Sequence, residues 1–498
     1  MSEIIKEWRC SVCGYIHKGA TPPTQCVVCG APEDAFEAFG GDQPEKKEKV
    51  SGWKCLVCHY NHKGDTPPSN CPICGAGAKK FEPLSPSEPS KTTDSIKRRI
   101  LIVGAGIAGV SAAEAARKES SSAEIVLLSK EDHLPYYRLN LTRLLAGEVD
   151  VASLPIHPES WYTDNRIELI LNAEVVECRP AARVIQLRDG QRLDYDKLII
   201  TAGAHPFIPP VPGAQKNGVT TIRTKDHAQM ILESAATSTS AVVIGGGILG
   251  LEVAAGLIKA SPDLPVTVVE GFEYLMPRQL NRKASTRLMA HVKSLGITLE
   301  TGTSVKEIEG DERAARIVLS NGKTLDADLV IFAAGVRPNS YLARTSGLNV
   351  NQGIIVNDFM ETSVEGIYAA GDTAEHRGVL YGLWNAAMYQ GAIAGMNAAG
   401  KKAGFGGIPR SNTIKVLGVD LFSIGSIEAC DGSCTVIEKD QDDVYINLIF
   451  RDGHLEGAIL YGDTTTSAVV KKAIEEKRDF SRALEGSPIV DSLLEFKE

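Results

Sequence analysis

At 498 residues, 43% of them hydrophobic, the chain is long enough for about three or four domains. A net charge of −9 argues against a nucleic-acid partner, which would call for a basic face, and no apolar run approaches the roughly 18 residues of a membrane span. Met1 to Glu7 has no apolar signal core, so a cytoplasmic setting is expected, where paired cysteines bind metal more often than they form disulfides.

Eight of the 11 cysteines fall in two copies of one cassette. Trp8 opens the first, which places Cys10, Cys13, Cys26 and Cys29 around a Thr21-Pro22-Pro23 segment. Trp53 opens the second, with Cys55, Cys58, Cys71 and Cys74 around Thr66-Pro67-Pro68. Both read C-x2-C-x12-C-x2-C, which offers four thiolates to one tetrahedral ion. Gly14, Gly30 and Gly75 suit the left-handed turns that aim N–H groups at the sulfurs, and His59 departs from this pattern. Spacing alone makes a structural zinc ribbon the commoner reading, and iron needs further support. Units this small need a metal to hold them together. The repeats are expected over 1–40 and 51–82, joined by a charged tether and followed by a Pro/Ser-rich linker over 83–97.

From Arg98 the chain changes texture. Ile100 to Val103 suits a buried parallel strand, followed by Gly104-Ala105-Gly106-Ile107-Ala108-Gly109, a helix from Val110 to Lys118, and a second strand, Glu124 to Leu128. The spacing G-x-G-x-x-G after a strand is a dinucleotide fingerprint. The first glycine makes the turn, the second admits a pyrophosphate and the third admits the helix. Glu131, beside Asp132, is the candidate ribose ligand. The pattern recurs at Ala241 to Ile244, with Gly245, Gly247 and Gly250, and Glu270 ends the next strand. No basic residue follows Glu270 to hold a 2′-phosphate, so NADH is expected over NADPH. The expected segments are an FAD-binding domain over 98–222 and 334–405 around an NAD-binding domain over 223–333. A small α+β interface domain over 406–498 carries a helix from Ser467 to Arg478. The fold class is thus an α/β two-dinucleotide-domain flavoprotein, doubly wound, with metal-stapled N-terminal domains.

The cassettes resemble the short rubredoxin domains found at the end of rubrerythrins, on their C-x-x-C-G knuckles and Thr-Pro-Pro segments. That resemblance implies one Fe(Cys)4 centre per cassette, on Cys10, Cys13, Cys26 and Cys29 and on Cys55, Cys58, Cys71 and Cys74. Thr362 to Asp372 resembles the second FAD motif of the two-dinucleotide flavoprotein reductases, which implies that Asp372 hydrogen-bonds the ribityl chain and that Gly371 beside it is a cofactor-binding residue. Thr201-Ala202-Gly203 and Ala334-Gly335-Val336-Arg337-Pro338-Asn339 resemble that family's crossover segments. His133 to Arg138 resembles the flavin-contacting loop of rubredoxin, ferredoxin and NADH–nitrite reductases, which places Arg138 against the flavin phosphates or ring. By the same resemblance Glu252 lies near the nicotinamide. Trp384 and Gln390 border the isoalloxazine, with a plain core position as the equal alternative for Trp384.

Ile107 to Glu119 contains no cysteine, and neither does Leu139 to Thr142, so no thiol relay is expected beside the flavin. Cys430 and Cys434 form a C-x3-C read as a buried or incidental pair, and Cys178 is read as a small core residue. The resemblance implies an NADH–rubredoxin oxidoreductase with FAD, NADH and two irons, acting on an external redox protein such as a rubrerythrin-like metalloprotein. Neither nucleic acid nor membrane is expected as a partner, and a homodimer is one expected assembly. The alternative is a flavoprotein donor linked to peroxide, superoxide or nitrite reduction, whose cassettes are zinc ribbons that bind a partner.

Overall fold

The computed structural model describes residues 6–10, 16–19, 21–24, 33, 36–39, 52–55, 61–62, 64, 66–68, 78–83, 98–408, 411–429, 432–485 and 490–494. Two compact units divide the chain: Met1–Ser69 with Ala78–Ser87, and Asn70–Gly77 with Glu88–Glu498.

In the first unit the sequence repeat becomes a structural repeat. Strands Lys6–Cys10, Ile16–Gly19 and Phe36–Phe39 form an antiparallel sheet with the first strand central. Trp53–Cys55, Asn61–His62 and Phe81–Pro83 form another with the same order. Register is shared as well. Trp8 pairs with His17 as Trp53 pairs with His62, and Cys10 pairs with Phe36 as Cys55 pairs with Phe81. Phe36 and Phe81 are both buried, which gives each small sheet its aromatic core. Pro83, expected to open the linker, instead closes a strand, where a missing N–H is harmless at the end of an edge strand. Cys13, Cys26, Cys29, Cys58, Cys71 and Cys74 lie outside the described residues, as do Gly14, Gly30, His59 and Gly75.

The second unit holds two parallel five-stranded sheets. One has the order Ile367–Ala369, Lys197–Ile200, Arg99–Val103, Glu124–Leu128, Ile167–Ile170. The other runs Val219–Thr221, Leu329–Phe332, Ala241–Ile244, Val266–Glu270, Thr298–Thr301. Their central strands are apolar because helices or further strands cover both faces. In each sheet the glycine-rich turn leaves the central strand. Chain crossovers join the two domains through a short antiparallel ribbon, Ala204–Pro206 with Val336–Pro338.

Helix Ile107–Glu119 packs on helix Trp384–Ala399 through small residues. A Cβ at Gly391 would stand 2.1 Å from the Ala108 carbonyl oxygen, and one at Gly395 2.2 Å from that of Ala112. Only glycine permits such an approach.

The C-terminal region is a five-stranded antiparallel sheet, Ser411–Val416, Val419–Gly425, His454–Tyr461, Val444–Arg451, Cys434–Gln441 in spatial order, with helix Ser467–Glu475 against it. Leu421, Tyr445, Ile459 and Tyr461 join the nucleotide-domain core, while Phe422, Leu448, Phe450 and Leu460 form a core with the region's own helices. That double use explains why the strand Val444–Arg451 reads as continuously apolar. The helix ends three residues before the expected Arg478, because Lys477 adopts a left-handed φ of 49°. Among the described residues, no helix is long and apolar enough to cross a membrane.

Candidate nucleotide and flavin site

The two glycine-rich turns share one geometry. Gly104 and Gly245 take φ of 105° and 118°, and a Cβ on either would meet a carbonyl of the neighbouring strand end, Thr201 at 2.4 Å or Ala333 at 2.5 Å. Gly109 and Gly250 let the helix close on the turn, since their Cβ atoms would stand 2.0 and 1.9 Å from the Gly104 and Gly245 oxygens. Gly106 and Gly247 differ: nothing lies within 4 Å of their Cβ positions. Each is an N-cap without a side-chain cap, and the helical bonds begin at Val110 N–H to Gly106 and Leu251 N–H to Gly247. Both turns therefore present open backbone and uncapped helix N-termini, which is what a pyrophosphate requires.

Beside the second turn, Glu270 accepts from the Gly246 N–H at 2.7 Å and the Phe272 N–H at 3.0 Å. This fixes its carboxylate at the end of strand Val266–Glu270. Beside the first turn the acid is more heavily engaged. Glu131 accepts from Arg138 at 2.8 Å and from the Tyr136 hydroxyl at 2.7 Å. Burial works against its ionisation, but the Arg138 charge and these two bonds outweigh burial and hold its pKa below the usual carboxylate value. Arg138 also donates to Tyr136 and to the Arg223 carbonyl.

Arg223 was not legible as a site residue. Its guanidinium pairs with Asp372 at 3.0 Å and lies 3.6 Å from where a Gly203 Cβ would be. Thus Glu131, Arg138, Arg223, Gly203 and Asp372 come together from four segments of chain. Gly371, at φ 80°, approaches Ala108, and its N–H donates to the Gln390 Oε1 at 2.9 Å. Gly203 and Gly335 take φ of 66° and 103° in the crossovers, where Asn339 ties the two together by donating to the Ala202 carbonyl.

Around this cluster three buried polar atoms have no hydrogen-bond partner: Gln390 Nε2, Trp384 Nε1 and His227 Nδ1. Gln390 is 1% exposed. Gln390 Nε2 and Trp384 Nε1 are donors, unpaired buried donors are costly, and a polar heterocycle with a ribityl chain would satisfy these two. The Trp384 ring stacks on Tyr137 with centroids 5.8 Å apart. The open turns and the orphaned donors fit a dinucleotide with a polar ring system.

Glu252, in helix Ile248–Ala260, accepts from the Thr142 hydroxyl at 2.9 Å across 110 positions of sequence. Burial pushes its pKa up to about 7; the Thr142 bond opposes this and Glu148 adds to it. Cys178 is 5% exposed and lies in the core, as expected of a small apolar residue. Cys434 is a free thiol at a strand start, and Cys430 lies outside the described residues.

Residues 98–391 match the pyridine nucleotide-disulphide oxidoreductase family model. The chain belongs to that family. Residues 411–478 match the rubredoxin NAD+ reductase C-terminal domain, and 8–37 and 53–82 each match the rubrerythrin rubredoxin-like domain. Among characterised relatives, this chain is 32% identical to the NADH-rubredoxin oxidoreductase of Clostridium acetobutylicum over 79% of its own length and 99% of that protein's. It is 34% identical to the nitrite reductase [NAD(P)H] of Bacillus subtilis, covering 77% of this chain and 48% of the relative. The chain spans about half the length of that protein and of the B. subtilis nitrate reductase electron transfer subunit. The crystal structure of the C. acetobutylicum enzyme superposes with a TM-score of 0.69 over 80% of this chain and 99% of that one. A putidaredoxin reductase, solved in covalent complex with putidaredoxin, superposes at 0.71 with 25% identity, covering 80% of this chain and 96% of that one. The architecture is that of the two-dinucleotide-domain flavoprotein reductases with rubredoxin-like domains at the N-terminus. Helix Ile107–Glu119 carries no cysteine.

Proposed function

We propose that the protein oxidises NADH and delivers the electrons, through FAD, to its own two N-terminal cassettes and from them to an external redox protein. The observation that carries this reading is the pair of matched glycine turns on a chain that also bears two four-thiolate cassettes and no thiol beside the first turn. When bound, FAD supplies hydride acceptance and one-electron release. Two one-electron centres match the two electrons of one hydride.

The residues divide the work. Gly104, Gly106 and Gly109 with the following helix start hold the FAD pyrophosphate; Gly245, Gly247 and Gly250 hold that of NADH. Glu270 binds the adenosine ribose and, with Phe272 rather than a basic residue beside it, selects NADH over NADPH. Arg138 and Arg223 supply positive charge toward the flavin phosphates, kept in place by Glu131 and Asp372. Trp384 and Gln390 border the ring, and Glu252 faces the nicotinamide. Cys10, Cys13, Cys26 and Cys29 hold one iron, and Cys55, Cys58, Cys71 and Cys74 the other. The names of the C. acetobutylicum relative and of the putidaredoxin reductase complex support a small metalloprotein as the outside acceptor.

The test is an anaerobic NADH titration of the full chain followed by visible absorption, with metal analysis of the same sample. About two irons per chain, with thiolate bands that bleach together with the flavin, are expected. Zinc with no thiolate band would overturn the internal route and make the cassettes partner-binding ribbons.

A further inference from the structure

Thr142 and Glu252 meet at the seam between the two nucleotide-binding domains. Thr142 belongs to the short helix Leu141–Leu145 that follows the flavin-contacting loop, and Glu252 to the helix behind the second glycine turn. The helices approach closely because position 256 is glycine. A Cβ there would stand 3.0 Å from Leu145 Cβ and 3.4 Å from the Thr142 carbonyl oxygen. Thr142 is 7% exposed, and its hydroxyl is the one side-chain partner of Glu252 among the described residues.

Among the described residues, no cation is paired with Glu252. Arg143 and Lys259 are both bound to Glu148. On the neighbouring helix Lys225–Ala235, Lys225 and Asp226 both meet His133 and Glu233 meets Gln229, and burial lowers the pKa of His227. Glu270 is held by backbone N–H groups. Glu148 is the charged group that acts on Glu252, and it disfavours ionisation.

We propose that Thr142 is a positioning residue that tunes the protonation of Glu252, and through it the preference of the site between oxidised and reduced nicotinamide. This rests on the reading that Glu252 faces the nicotinamide. The oxidised ring is a cation and the reduced ring is neutral, so a carboxylate favours the first and a neutral carboxyl does not. Thr142 donates to the carboxylate form and so favours ionisation.

The experiment is calorimetric titration of the FAD-loaded full chain with NAD+ between pH 5.5 and 8.5, beside the NADH bleaching assay. In the wild type, NAD+ affinity should rise with pH through a midpoint near 7. Thr142→Val should move the midpoint upward and weaken NAD+ binding at neutral pH about three- to tenfold, the worth of one hydrogen bond. Thr142→Ser should restore both, and Glu252→Gln should remove the step. A Thr142→Val profile that coincides with wild type, a Thr142→Ser profile that coincides with Thr142→Val, or a step that survives Glu252→Gln would overturn the assignment. If the step is absent while NADH still bleaches the flavin, this inference fails and the proposed function stands. If the step behaves as described while NADH does not reduce the flavin, the reverse holds.

Discussion

Arg223 donates to Asp372 at 3.0 Å, which ties the segment after strand Val219–Thr221 to the stretch that resembles a second FAD motif. Both side chains are about a quarter exposed, so the pair is neither a solvated surface bridge nor a sealed one. Its place beside Gly203 and the Arg138–Glu131 pair puts Arg223 in the proposed FAD grip. Arg223→Ala should therefore weaken FAD retention by at least about tenfold, the worth of one charge-assisted bond. The measure is flavin released during gel filtration, with unfolding of the apoprotein as a control for general damage.

Gly106 and Gly109 lie three residues apart and should fail in different ways. Gly109→Ala drives a methyl into the Gly104 carbonyl, and overpacking of this kind costs about 1–3 kcal/mol. Gly106→Ala meets empty space, so the apoprotein should keep its thermal midpoint while FAD binding falls sharply. Equal destabilisation of both apoproteins would count against a phosphate seat at Gly106.

Glu252 carries a stability signature of its own. Its folded pKa, raised by burial to about 7, lies above its unfolded value. The folded protein therefore holds the proton more tightly, and stability from this group is lost as pH rises through about 7. Glu252→Gln abolishes that loss. The variant should exceed wild type by about 1–3 kcal/mol at pH 8 and lose most of the advantage near pH 5. Chemical unfolding at the two pH values reads this directly.

In the cassettes, Cys55→Ser with Cys58→Ser should remove one metal equivalent and leave the other. Elemental analysis should fall from about two ions per chain to about one, and any thiolate absorbance should halve with it. Loss of both ions would show that the two sites depend on each other.

What could be read in advance was local. Each glycine turn lies within six consecutive residues, and each glycine has a backbone reason to be there. The cassettes announced themselves by spacing, and their repetition survives down to the pairing of Cys10 with Phe36 and Cys55 with Phe81. What escaped notice depends on long-range partners. Arg223 meets a residue 149 positions away, and Thr142 one 110 positions away. An isolated Arg or Thr carries no periodicity or spacing that would mark such a partner. The Ser467 helix ends earlier than its composition implies for a related reason: Lys477 continues the helical pattern in composition, and only its left-handed backbone stops it.

The contact of Gly391 and Gly395 with the Ala108 and Ala112 carbonyls joins two helices backbone to backbone. One begins at the proposed phosphate seat, the other at Trp384, on the proposed border of the ring. Side chains can swing to accommodate a ligand, but two abutting main chains cannot. The distance between the two helix starts is therefore a fixed gauge. A ligand that grips one end and falls short of the other gains only part of the site, so the scaffold itself discriminates by ligand length before any side chain takes part.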